Sequence, residues 1–239
     1  MSHRVISIGG RAANRLLRAG VSLAIATASM AFGAQTSFQM NGPGPNGVLS
    51  SIYIGPYDAS VGGVATPVIC DDFADETYFG ESWTANVFNF SDLSVASNLN
   101  QTKWGNLTLY QEAAWLGLQL MNPPATCGGA SNCAGDIQFA IWQLMDPGDN
   151  PISLLTGVDK TNTQTWLNQA ATHSSTQFTL YSYVPNTAVG CPGGRCTPPQ
   201  EFMVVHTPES SEIAMLGADF AALGVVVFLV RRKKRPALA

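Results

Sequence analysis

Five cysteines stand in the 239-residue chain, and four of them fall into two close couples. Cys127 and Cys133 bracket "GGASN", and Cys191 and Cys196 bracket "PGGR". The glycines let each short loop turn tightly enough for a disulfide. Neither spacing is Cys-x-x-Cys and no histidine lies close, which argues against zinc. Pairing within couples is favoured by sequence distance and leaves Cys70 alone, in "ATPVICDDFADETYFGESW". A lone thiol in an oxidising compartment is buried and inert, paired between molecules, or used chemically. Asp71 and Asp72 follow it directly and are candidate general acids or bases. With Asp75 and Glu76 they form an acidic run that lacks the EF-hand pattern, so solvated loop acids are expected rather than a Ca²⁺ site. No metal and no cofactor is implied. His173 and His206 are isolated, and there is no Ser/His/Asp spacing, Walker motif or Rossmann glycine pattern.

The compartment is read from the two ends. Arg4, Arg11, Arg15 and Arg18 precede the apolar run "AGVSLAIATASMAFGA", residues 19 to 34. A basic region, an apolar run and small residues at its end are the layout of a secretory signal peptide over 1–34. At the other end "IAMLGADFAALGVVVFLV", 213 to 230, is followed by "RRKKR", 231 to 235. An apolar span ending in a basic cluster predicts a transmembrane helix with its C-terminus in the cytoplasm. Between residues 35 and 208 only Lys103, Lys160 and Arg195 face thirteen acids, a net charge of −10. Such a surface disfavours nucleic acid and anionic membranes as partners.

Between the ends the periodicity changes twice. Residues 35–47, "QTSFQMNGPGPNG", read as a Gly/Pro linker, leaving 48–207 as the ectodomain. Strand alternation is expected over 48–57, 63–73 and 81–90, the second strand carrying Cys70. Helical spacing follows in "TLYQEAAWLGLQLMN", 108–122, with Leu109, Ala113, Leu116 and Leu120 on one stripe. A second helix is predicted over 135–148, with Asp136 as N-cap, and a third over 162–173. Strands return at 176–185 and 199–208. Strands, helices, then strands predict an α+β fold: an antiparallel β-sandwich or barrel-like core with an inserted helical subdomain, plus the C-terminal transmembrane helix.

Two resemblances add to this reading. The tail "HTPESSEIAMLGADFAALGVVVFLVRRKKRPALA" resembles the PEP-CTERM sorting signal, although Pro208-Glu209-Ser210 replaces Pro-Glu-Pro. That resemblance, over 208–239 with Arg231 and Arg232 after the helix, implies an exosortase-like enzyme as partner. It also implies export, to an inner-membrane tether facing the periplasm or to the cell surface after processing. The pair "VICDDF" and "IQFAIWQL" resembles bacterial thioester domains, which carry a cysteine after apolar strand residues and a Thr-Gln-x-Ala-Ile-Trp-like motif later. Ile137 stands where that motif has threonine. The resemblance implies an internal thioester between Cys70 and Gln138. A glutamine in the first turn of a helix would lie near free backbone N–H groups that polarise its carbonyl. Phe139, Trp142 and Trp115 are expected to exclude water. A partner amine or hydroxyl would then attack once, without turnover, so the chain is not expected to be an enzyme. The alternative is a structural envelope or extracellular-matrix protein of the same fold with no covalent chemistry.

Overall fold

A computed structural model describes residues 34–90, 99–129, 132–191 and 198–206. The expected signal peptide up to residue 33, the expected sorting motif at Pro208 and Glu209, the expected span at 213–230 and Arg231 and Arg232 lie outside the described residues, as does Cys196. Among the described residues no helix is long and apolar enough to cross a membrane.

The fold is α+β. Six strands close an antiparallel barrel: β1 (Ala34–Gly42), β4 (Tyr57–Val61), β5 (Val64–Cys70), β6 (Ser82–Asn89), β7 (Phe178–Tyr183) and β8 (Phe202–Val205). The order around it is β1-β4-β5-β8-β7-β6. A two-stranded hairpin, β2 (Val48–Leu49) and β3 (Ile52–Tyr53), stands beside it. Between β6 and β7 come α1 (Leu107–Met121), α2 (Cys133–Met145), a 3-10 turn (Pro151–Leu154) and α3 (Gly157–Ala170). The helical insertion and the barrel-like core are thus both present.

Strand alternation explains how a barrel this small has a core on both surfaces. Phe38, Trp83 and Phe202 meet inside the barrel, Phe38 lying 4.5 Å from the Trp83 ring and 5.2 Å from that of Phe202. The other face of β5 and β8 is covered by α1. Gly117 permits that approach: a Cβ there would sit 2.8 Å from Val205 Cγ1 and 3.0 Å from Ile69 Cδ1. The predicted stripe on α1 is buried at Ala113, Leu116 and Leu120, with Leu109 at its edge.

Two expectations need correcting. The linker expected over 35–47 is largely β1, which pairs with both β4 and β6 and buries Phe38 and Met40. The single strand expected over 48–57 is broken at Ser50 and Ser51, which both take positive φ (50° and 65°) and turn the chain into the β2–β3 hairpin. Such a turn is usually built with Asn or Gly. The chain then passes a cis Gly55–Pro56 bond into β4.

Phe38→Ala tests whether β1 belongs to the barrel. Losing a fully buried aromatic ring should cost about 3–5 kcal/mol in chemical denaturation. A residue in a linker would change stability by less than about 0.5 kcal/mol.

Candidate functional site

Cys70 is the last residue of β5 and is 1% exposed. Its thiol donates to the Asp72 carbonyl oxygen at 2.9 Å. Burial pushes the thiol well above its ordinary pKa, and the neighbouring Asp72 and Asp71 carboxylates push it the same way. A backbone contact at Asp72 and the Trp142 indole N–H pull it part of the way back. Among the described residues Cys70 is the free cysteine, while Cys127 and Cys133 form the predicted disulfide with Cα atoms 5.7 Å apart. Cys191 is also disulfide-bonded.

Gln138 comes to the same place from the inserted helices. It is fully buried, and its Nε2 donates to the Cys70 carbonyl oxygen at 2.7 Å, across 68 residues of sequence. That oxygen and the thiol belong to one residue, so the carboxamide and the sulfur share one buried site. Gln138 Oε1 is buried with no hydrogen-bond partner. An orphaned acceptor of this kind costs about 1–3 kcal/mol.

The positioning of Gln138 follows from how α2 begins. Cys133, one end of the disulfide, is its first residue, and the N-cap is Asn132, whose Oδ1 accepts from Gly135 N at 3.0 Å. Asn132 Nδ2 donates to the Asn46 carbonyl at 2.9 Å, and Asn46 Nδ2 donates to the Gly55 carbonyl at 2.6 Å. Helix cap and Gly55 loop are thereby stitched together. Gly55 faces the carboxamide, and a Cβ there would stand 2.7 Å from Gln138 Oε1. The position calls for glycine because of this approach.

The helix start corrects two readings. Asp136 is not the N-cap; it is buried within α2. Gln138 is the sixth residue of the helix rather than a first-turn residue, so free N–H groups at the helix end do not serve its carbonyl. The spare donor nearby in sequence is the Trp142 indole N–H, one turn further along the same face. It is buried, has no partner within hydrogen-bond geometry, and yet lies close enough to the Cys70 sulfur to favour the thiolate. Trp142 packs between Phe73 and Phe139, at 5.2 and 5.1 Å between ring centres. Trp115 is elsewhere, stacked on His173 at 4.5 Å and 6.2 Å from Trp166.

Asp71 and Asp72 are fully buried, not solvated. Asp72 takes an ion pair from Lys103, which also meets Asp75 at 2.9 Å, and its Oδ1 accepts from Ala74 N and Asp75 N at 3.1 and 3.2 Å. Asp72 Oδ2 accepts from Glu201 N at 3.4 Å. Buried Glu201 in turn accepts from Tyr110, Ser182 and Lys103 N. Both Asp71 oxygens lack partners, and burial followed by the Glu201 charge raises its pKa well above its ordinary value. Sequence reasoning missed Gly55, Asn46, Glu201 and Gln200, whose Nε2 donates to the Asp72 carbonyl at 2.7 Å. None carries a motif; each is found only through its contact. Among the described residues no group of three or more acids, histidines or cysteines is placed to hold a metal ion.

No protein family, no curated protein and no solved structure matches this chain.

Burial pushes the Asp136 carboxyl up to about 7. An acid raised above its unfolded value of about 3.9 stabilises the fold most at low pH and loses that contribution as pH climbs toward 7. Asp136→Asn should therefore unfold at higher denaturant than the wild type at pH 8, by roughly 1–3 kcal/mol, with the gap closing near pH 4. A gap independent of pH would show that Asp136 is not held neutral.

Proposed function

We propose that this chain is an exported bacterial surface or membrane-tethered protein whose ectodomain stores an acyl electrophile, a thioester between Cys70 and Gln138. The observation that carries the reading is the carboxamide of Gln138 held on Cys70 by the 2.7 Å hydrogen bond, with both residues buried and its carbonyl oxygen unpaired. Two motifs far apart in sequence are brought together as their resemblance to thioester domains implies.

The chemistry balances without a cofactor. The Cys70 sulfur attacks the Gln138 amide carbon, the C–N bond breaks, and the thiol proton leaves with the nitrogen as ammonia. The Trp142 indole N–H, near the Cys70 sulfur and one helical turn from Gln138, is the candidate donor for the negative charge developing on Oε1. In use, a partner amine or hydroxyl attacks the thioester carbon, an amide or ester forms to residue 138, and the thiol of Cys70 is released. The protein reacts once and does not turn over. The adhesion-like role, export and exosortase-like processing of the tail are part of the same proposal and rest on the sequence. The second reading, a structural envelope or matrix protein, shares the fold; the buried acid network around Glu201 would serve it equally well.

Intact mass separates the two. The purified wild type should be lighter than its sequence, corrected for disulfides, by one ammonia, and Cys70→Ala should restore that mass. Methylamine should add to the wild type and free one thiol for alkylation. Full wild-type mass with an alkylatable Cys70 would leave the structural reading standing.

Gly55→Ala checks the geometry without touching either reacting residue. A methyl group 2.7 Å from Oε1 must displace the carboxamide. The ammonia-deficient fraction should fall well below that of the wild type while the circular dichroism spectrum is retained. An undiminished fraction would show that the Gly55 contact does not set the reactive position.

A further inference from the structure

A groove of about 820 Å³ opens on the outer side of Trp142. Its floor is Trp142, Tyr57 and Phe202, and its walls come from the β2–β3 hairpin and the 73–79 segment. The Tyr57 hydroxyl donates to the Tyr53 carbonyl at 2.6 Å, tying the floor of the groove to its hairpin wall. Trp142, only 2% exposed, thus both lines the groove and lies near the Cys70 sulfur. Gln200 lines the groove as well and holds the Asp72 carbonyl that receives the thiol proton.

The walls have a definite chemistry. Tyr53 is 48% exposed and Phe79 38%, their rings 5.2 Å apart and edge to face. Asp75 and Glu76 also line the groove, and none of its lining residues is basic. Aromatic faces beside carboxylates attract a cation, and the methylene stem behind an ammonium packs on aromatic surface.

We propose that this groove is the entry by which the acceptor reaches residue 138, and that it takes a lysine side chain of a partner protein, a primary amine on an aliphatic stem. The inference rests on the thioester reading and adds to it a route and a choice between amine and hydroxyl. Tyr53, Phe79 and Glu76 hold the stem and its ammonium at the mouth. Trp142 is the barrier, and its ring must turn aside from Phe73 for the amine to pass. The ammonium gives a proton to water on leaving the acidic mouth. Its nitrogen then bonds the Gln138 acyl carbon, the C–S bond breaks, and the second amine proton ends on the Cys70 sulfur.

The test compares rates of thiol release from the full chain with a lysine-containing peptide and with methylamine, which has no stem. In a Glu76→Gln, Phe79→Ala double variant the ratio of peptide rate to methylamine rate should fall roughly threefold to tenfold. Both positions are at the surface, so the fold should persist, and intact mass reports whether the variant still carries the thioester. A mass deficit with an unchanged ratio would overturn the groove as the route while leaving the thioester in place. A wild type of full mass would remove the thioester, and the groove's role as its entry with it. A wild type that couples glycerol faster than the peptide would overturn the choice of an amine.

Discussion

The hydrogen bond from Gln138 Nε2 to the Cys70 carbonyl joins the barrel to its helical insertion at a point where neither residue can reach water. A buried primary amide has two donors and two acceptor sites to satisfy, and an apolar side chain of similar volume would pack there with less cost. The surroundings are arranged to hold the amide nonetheless. The Cys127–Cys133 bridge fixes where α2 starts, and the Asn132 cap ties that start to Asn46 and through it to Gly55. Removing any link would let the carboxamide move relative to the thiol, while the barrel would still close.

A second constraint works on Cys70 from the opposite side. The segment after β5 leaves the barrel through apolar packing, yet it carries two successive aspartates inward. Lys103, one of three basic residues between 35 and 208, is spent on Asp72 and Asp75. Glu201, on the approach to β8, collects the hydroxyls of Tyr110 and Ser182 and the Lys103 amide. A paired and hydrogen-bonded buried charge of this kind contributes little net stability, but it fixes geometry, because breaking it leaves a charge without compensation. Here the geometry fixed is that of residues 70–75, and so of the Asp72 carbonyl to which the thiol donates.

The sequence shows these arrangements unevenly, for physical reasons. Whereas α3, expected over 162–173, runs Gly157–Ala170 and buries only Thr163 and Ala170, the strands after residue 63 and the first two helices announce themselves through alternation or helical spacing, which burial on one face enforces. β1 does not, because the barrel leaves most of its positions exposed and only Phe38 and Met40 fully inside. Five short polar residues and a Gly/Pro tail then read as linker. The break at Ser50-Ser51 is hidden because serine is not a usual residue for two successive positive φ values, and Ser50 is tied by its hydroxyl to the Leu154 carbonyl at 3.0 Å. The pair Cys70 and Gln138 was legible as two motifs, and their contact is a fact of the fold. The helix N-cap was misread as Asp136; Asn132, just before the disulfide's Cys133, takes that place. Trp115 could not be placed, since an aromatic residue on a helix marks a packed face without saying which.

Unpaired buried polar atoms occur at several points of the core, among them Trp83 Nε1 and Trp104 Nε1, and two of them bear on the proposed acyl transfer. Gln138 Oε1 lacks a donor and Trp142 Nε1 lacks an acceptor within hydrogen-bond geometry, one helical turn apart on the same face. Each atom forfeits its hydration on burial, so leaving either unpaired costs free energy. Both become useful if electron density moves from sulfur to carbonyl oxygen, since the transition state then supplies the acceptor that the resting site withholds.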